Sequence, residues 1–275
     1  MVARPSPYPG AQAVSRAVAV LKTFTDDQPR LTLAAIARAT RLNRATAYRL
    51  LAALEKEGLV ARASGGDNYQ LGPEAIALGS RALRSNDLRL VSRPELEALA
   101  HATHETATLE VLVERDILIL DEVISPNLVG GTPFVGTRWP AHATSTGKAI
   151  LAGRPERERE QFLGAQRSLP RFTAHTHTTL AGFRRELARV RARGYATVHE
   201  ELEIGYAAVA AAVLNAEGLA VGALCVGGPA ARLTPARLAE LAPAVRQAAR
   251  RVSGRLGYRA ADEAAATSSP PHRSA

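Results

Sequence analysis

An α+β fold in two parts is predicted for this chain: an N-terminal winged helix-turn-helix, then a larger domain built on one antiparallel sheet packed by helices. The first part is carried by the order of its elements, three helical stretches followed by a short hairpin. The second is carried by strand-like runs in mixed order, with amphipathic helices between and after them. The 275 residues suffice for two such domains.

Residues 1–12 hold three prolines and a glycine without periodicity and are read as a loose, disordered arm. From there the winged helix-turn-helix is expected over 13–72. Val14, Val18, Leu21 and Phe24 recur at helical spacing, until Asp26-Asp27-Gln28-Pro29 breaks the pattern. Thr32 is placed to cap a second helix with Leu33, Ile36 and Ala37 inward, and Asn43 a third with Ala47, Leu50, Leu51 and Leu54 inward. Gly58 ends that helix, where a left-handed residue costs least. Leu59–Arg62 and Tyr69–Leu71 read as strands around the turn cluster Ser64-Gly65-Gly66-Asp67-Asn68.

Pro73 is expected to open a linker helix over 73–91, with Ile76, Leu78 and Leu83 along it. Ser92-Arg93-Pro94-Glu95 resembles a capping box, so the second domain is placed at 92–257. Leu109–Val113 and Ile117–Val123 are strands around the turn Glu114-Arg115-Asp116. A helix over Leu180–Arg193 follows, then strands at Tyr195–His199, Ala207–Leu214 and Leu219–Val226. Thr234-Pro235 starts a closing helix to about Leu256, and residues 258–275 are read as a disordered tail.

Composition narrows the function classes. No apolar run approaches the roughly 18 residues of a membrane-spanning helix, and the N-terminus lacks the ordered regions of a signal peptide. The single cysteine, Cys225, excludes an internal disulfide and a cysteine-based zinc site. A cytoplasmic protein with no membrane contact is expected. Net charge is +9, and residues 1–85 hold 12 basic against 6 acidic side chains. Positive charge concentrated on a small domain fits a polyanion, and double-stranded DNA is the natural one.

If the third helix buries its apolar stripe, Arg44, Ala45, Tyr48 and Arg49 face outward. A recognition helix enters the major groove with its N-terminal residues at base edges, and arginine binds guanine bidentately. Arg41, Asn43 and Thr46 at the head of the helix suit phosphate contacts. Arg62 and Asn68 on the hairpin are weaker candidates for the backbone or minor groove.

In the second domain, His142-Ala143-Thr144-Ser145-Thr146-Gly147-Lys148-Ala149-Ile150-Leu151 passes from a polar loop into a helix. Hydroxyls and unpaired N–H groups there form a place for a carboxylate or another oxygen-rich ligand. A phosphate-binding loop is excluded, since His142 stands where its first glycine belongs and Ala149 where Ser or Thr belongs.

From about Ala13 to Leu256 the chain resembles the IclR family of bacterial regulators. The resemblance rests on Ala17-Val18-Ala19-Val20-Leu21, Ala45-Thr46-Ala47-Tyr48-Arg49-Leu50-Leu51, Trp139-Pro140-Ala141-His142-Ala143-Thr144 and Gly147-Lys148-Ala149. It continues through Arg193-Gly194-Tyr195-Ala196, Glu200-Glu201-Leu202-Glu203-Ile204-Gly205 and Gly228-Pro229-Ala230-Ala231-Arg232-Leu233-Thr234. It implies a GAF-like effector domain, and homodimers or homotetramers on palindromic operators. It also implies an effector pocket at Leu128, Trp139, Ser145, Thr146, Val198, Tyr206 and Ala208, beside Gly147 of the polar loop. Where Val198, Ala208 and Trp139 stand, the family often has an acidic residue, a cysteine and an aliphatic residue. Trp139 and Tyr206 therefore suit a flat or aromatic effector, such as an aromatic acid, with Ser145 and Thr146 on its oxygens.

His175 and His177 lack a third ligand at a telling spacing, so no metal site is expected. Cys225 in an apolar strand is read as a small buried hydrophobe, and Glu200, Glu201 and Glu203 as a strand-end cluster paired with arginines. No nucleophile elbow and no dinucleotide loop occurs, so neither an enzyme with catalytic residues nor a cofactor is expected. The leading reading is a ligand-controlled transcriptional regulator. The alternative is a protein–protein adaptor with a degenerate winged helix, and the outward arginines speak against it.

Overall fold

The computed structural model describes residues 10–63, 67–125, 135–164 and 166–259. The chain divides into two compact units, the first ending at Ser85 and the second beginning at Asn86. Among the described residues no helix is long and apolar enough to cross a membrane.

The first unit runs α1 (Ala11–Leu21), β1 (Leu31–Thr32), α2 (Leu33–Thr40), α3 (Arg44–Lys56), β2 (Val60–Arg62), β3 (Asn68–Leu71) and α4 (Pro73–Arg84). Thr32 Oγ1 accepts the Ala35 N–H at 3.2 Å and Asn43 Oδ1 accepts the Thr46 N–H at 2.8 Å, so both caps form where the sequence places them. Arg41, between α2 and α3, adopts a left-handed φ of 56°, and Gly58 after α3 a φ of 70°. Val20, Ile36, Leu51, Leu54, Val60 and Tyr69 close the core. A third strand joins the hairpin, since Leu31 pairs Tyr69 and gives the order β1-β3-β2.

Two features of this unit differ from the sequence reading. Val14 and Val18 point outward, and the inward face of α1 is Val20 with Ala17, Leu21 and Phe24 behind it. The predicted linker helix over 73–91 stops at Arg84, and no residue of α4 is buried.

In the second unit α5 spans Asp87–Thr103. Asn86 Oδ1 caps it by accepting the Arg89 N–H at 2.9 Å, so Ser92-Arg93-Pro94-Glu95 lies inside the helix and does not start it. Tertiary contacts override the proline: Arg89 and Arg93 bind Asp121, while Glu95 binds Arg251 and Arg255. Then come β4 (Thr106–Val113), β5 (Asp116–Val123), β6 (Arg138–Pro140), a 3₁₀ turn (Ala141–Ala143), α6 (Ser145–Ala152) and α7 (Glu156–Leu163). The unit ends with α8 (Leu180–Arg193), β7 (Ala196–His199), β8 (Tyr206–Leu214), β9 (Ala220–Pro229) and α9 (Pro235–Arg255). The strands form one antiparallel sheet in the order β6-β5-β4-β9-β8-β7.

Alternate residues of this sheet serve two cores. Leu109, Val209, Val213, Leu224 and Val226 pack with Leu96 and Leu99 of α5 and with Leu238, Val245 and Val252 of α9. Ile117, Ile119, Val198 and Cys225 pack on the other side with Ile150 of α6 and with Phe183, Leu187 and Val190 of α8. The head of α6 meets the sheet on that second side and creates the cavity described next. Of the expected features, Leu128, residues 1–9, Ser64-Gly65-Gly66 and residues 260–275 lie outside the described residues.

Candidate functional site

On α3, Ala47, Leu51 and Leu54 are buried and Leu50 half-buried, which leaves Arg44, Ala45, Tyr48 and Arg49 exposed along one side. Tyr48 is 49% exposed, a large exposure for an aromatic on a short helix. Arg41 and Asn43 are also exposed at the head of the helix, beside half-buried Thr46. The Thr46 N–H is already engaged by Asn43, so only its hydroxyl remains for a phosphate. On the wing, Arg62 is drawn toward Glu55 at 3.5 Å and lies over the Tyr69 ring, and half-buried Asn68 accepts the Ala63 N–H on its backbone carbonyl. A helix face free of internal partners among the described residues, beside a partly committed wing, suits a duplex read mainly from α3.

The second unit holds a narrow, partly open cavity of about 10 Å³, room for a single water, between the head of α6 and the sheet. Of the sequence-predicted residues, Trp139, Ser145, Thr146, Val198, Tyr206 and Ala208 line it. Val198 and Ala208 face each other across β7 and β8, and the Trp139 and Tyr206 rings sit 6.5 Å apart, tilted by 58°. Gly147 stands behind the wall: a Cβ there would lie 2.0 Å from the Ala141 carbonyl, so only glycine lets the 3₁₀ turn pack on α6. Thr144 caps α6 by accepting the Gly147 N–H at 3.1 Å. Burial, with Cys225 and Glu110 nearby, raises the Tyr206 pKa and keeps its phenol protonated.

Sequence reasoning missed Glu110 and Cys225 in the same wall. Cys225 is buried as expected, but its Sγ lies 3.5 Å from Ser145 Oγ and faces the cavity. Glu110 accepts hydrogen bonds from Thr108 Oγ1 at 2.6 Å and Thr146 Oγ1 at 2.5 Å. Burial pushes its carboxyl pKa up, and the two hydroxyls oppose that. A charged residue amid Leu109–Val113 was the available signal, because a strand covered on both faces has no solvent for a carboxylate.

A measurable pH dependence follows. Below about pH 4.3 the Glu110 carboxyl is protonated in both folded and unfolded chains. Above that, the unfolded chain loses the proton first, so this group lowers stability as pH rises toward its raised folded pKa. Glu110→Gln removes the penalty. Its melting temperature is expected to gain on the wild type as pH rises above about 4.3, and a difference that stays constant from below about pH 4 upward refutes the account.

The loop after β7 closes one side of the cavity through Glu201 and Leu202. Glu201 pairs not with an arginine but with Lys148, whose Nζ lies 2.5 Å from its Oε1 with the lysine side chain 0% exposed. Burial lowers the Lys148 pKa and raises that of Glu201, and their mutual attraction opposes both shifts. Glu200 accepts the Gly205 N–H, and His175 and His177 lie 3.9 and 4.0 Å from Glu200 and Glu201. Burial lowers the His142 pKa, and its Nε2–H donates to the Pro170 carbonyl as a structural loop bond.

Comparison with known proteins agrees with this architecture. Residues 13–64 match the model of the IclR helix-turn-helix domain, and residues 80–254 that of the bacterial transcriptional regulator IclR C-terminal domain. The chain is 37% identical to a glycerol operon regulatory protein of Streptomyces griseus, over 90% of this chain and 96% of that protein. It is 28% identical to the transcriptional repressor IclR of Escherichia coli K12, over 88% and 89%. Among solved structures, a transcriptional regulator from Rhodococcus sp. RHA1 matches with a TM-score of 0.74 at 36% identity, covering 89% of this chain and 98% of that one. An IclR homolog from Microbacterium hydrocarbonoxydans complexed with 4-hydroxybenzoate matches with a TM-score of 0.74 at 28% identity, with the same coverage. With both domain models matched across most of its length, this chain belongs to the IclR family of DNA-binding transcriptional regulators, whose C-terminal domain binds a small-molecule effector.

Proposed function

We propose that two or four copies of this chain read a palindromic operator through α3, and that a small flat effector in the Trp139–Tyr206 cavity changes how the DNA-binding heads engage it. In this reading Arg44, Tyr48 and Arg49 meet base edges, while Arg41, Asn43, Ala45, Thr46, Arg62 and Asn68 fit the duplex around them. The exposed apolar side chains Val14, Val18, Ile76 and Leu78 of the first unit support self-association. A gene regulator of this kind acts in the cytoplasm, beside the chromosome.

The observation that carries the effector reading is the pairing of two aromatic rings with the hydroxyls at the head of α6 in one cavity. Trp139 and Tyr206 part to admit a ring, which then gains apolar burial against both, and Ser145 Oγ meets an oxygen on its rim. The effector must bind the two arrangements of the heads unequally to have any effect, and such couplings typically span 5–150-fold.

Trp139 is the sole tryptophan, so its emission reports the cavity directly. Titration with aromatic acids, 4-hydroxybenzoate among them because the Microbacterium homolog holds it, is expected to shift Trp139 emission and raise thermal stability. The same ligands are expected to change affinity for the chain's own upstream DNA. Glycerol serves as the non-aromatic member, since the Streptomyces griseus relative regulates a glycerol operon. A response to glycerol alone removes the aromatic reading.

A further inference from the structure

From the geometry of the cavity wall we infer that Glu110 determines effector specificity by accepting a hydrogen bond from a hydroxyl or protonated amine on the ligand. This rests on the cavity being the effector site and adds which polar group the ligand must carry.

The carboxylate has an unusual set of neighbours. It stands on β4 facing α6, 3% exposed, in the same wall as Ser145, Tyr206 and Cys225. Among the described residues it has no ion-pair partner: Lys148 is committed to Glu201, and the nearer polar groups are the hydroxyls of Thr108 and Thr146. Each hydroxyl donates to a different oxygen, and each carboxylate oxygen holds two lone pairs, so one acceptor position per oxygen stays open. Replacing a carboxyl with an apolar side chain would remove a burial penalty, yet the chain retains it beside the cavity. A donor from the ligand fills the open position and offsets the penalty only when bound, which is how a site gains selectivity for its ligand.

The same feature acts against a ligand carboxylate beside Thr146. Helix N-termini favour anions, but here Thr146 in the first turn already serves the internal carboxylate of Glu110. A second negative charge beside it meets like-charge repulsion among buried groups. An acid group on the effector is therefore directed to the Ser145 side, with the donor toward Glu110.

The test uses the purified full chain and three pairs of small probes: phenol and anisole, benzyl alcohol and benzyl methyl ether, benzylamine and toluene. Binding is read by Trp139 emission and melting temperature. The donor-bearing member of at least one pair is expected to bind roughly tenfold more tightly than its donor-free partner, the ratio a charge-assisted hydrogen bond supplies. Preference for phenol and benzyl alcohol identifies a hydroxyl as the group read, and preference for benzylamine an ammonium. Glu110→Gln, which keeps an acceptor but no charge, is expected to shrink the preference, and Glu110→Leu to abolish it. If Glu110→Leu does not fold, the glutamine variant decides. Equal binding within every pair, or an unchanged preference in Glu110→Gln, overturns the inference while leaving the cavity as a ligand site. If none of the six probes moves either signal, the aromatic reading of the cavity fails and takes this inference with it.

Discussion

Arg44→Ala with Arg49→Ala is expected to remove specific operator binding while leaving the fold intact. Each arginine that grips a guanine contributes about 1–3 kcal/mol of discrimination, so losing both lowers affinity roughly 10²–10⁴-fold. Both side chains are exposed on α3 and neither makes an internal ion pair among the described residues, so unfolding free energy stays within about 0.5 kcal/mol of wild type. Arg62→Ala is the contrast. That guanidinium is already held by Glu55 and the Tyr69 ring, so a smaller loss is expected from it. Gel shifts on the chain's upstream region at several salt concentrations decide the matter. An arginine at a base edge changes sequence preference, whereas one on phosphate reduces the slope of affinity against salt by about one charge. Wild-type affinity in the double variant would place DNA reading elsewhere.

How much of this was legible beforehand depended on whether the signal was local. The caps Thr32 and Asn43 and the stop at Gly58 are decided within a few residues, and they form as read. The strand Leu31–Thr32 is only two residues long and has no pattern of its own, because its partner Tyr69 lies far along the chain. Val14 and Val18 share helical spacing with Leu21, but spacing does not say which side of a helix meets the core. The capping-box pattern at Ser92 lost to Asn86 because Arg93 and Glu95 are held mid-helix by Asp121, Arg251 and Arg255, contacts no local window contains. The head of α6 announces a ligand site through its own hydroxyls and N–H groups, whereas the other walls follow only from the family resemblance, since the lining comes from four separated stretches, residues 110, 139–146, 198–208 and 225. Glu110 was the exception: its charge inside an apolar strand was visible and went unread.

Lys148 was the least legible residue of the site, and its substitution is expected to have the largest effect on the second unit. Nothing near it in the sequence announces a fully buried lysine, because its partner Glu201 lies 53 residues on. Lys148→Met keeps the volume and the helix but leaves Glu201 buried without its counter-charge. Removing one partner of a buried pair costs about 3–5 kcal/mol, far more than the pair contributes over an apolar replacement of both. The second oxygen of Glu201 already lacks a hydrogen-bond partner among the described residues, and His177 Nε2 stands 4.0 Å from it. The variant is therefore expected to unfold its effector domain at clearly lower urea concentration, and Lys148→Met with Glu201→Leu to recover most of the loss. Equal midpoints for wild type and Lys148→Met refute this, as does a double variant no better than the single one. A looser loop also follows, since Thr173 and Thr176 would be left to hold the carbonyls of Glu200 and Glu201 by their hydroxyls alone. That loop carries Glu201 and Leu202 into the cavity wall, so a partly folded Lys148→Met chain should keep α3 competent for DNA and lose its response to ligand.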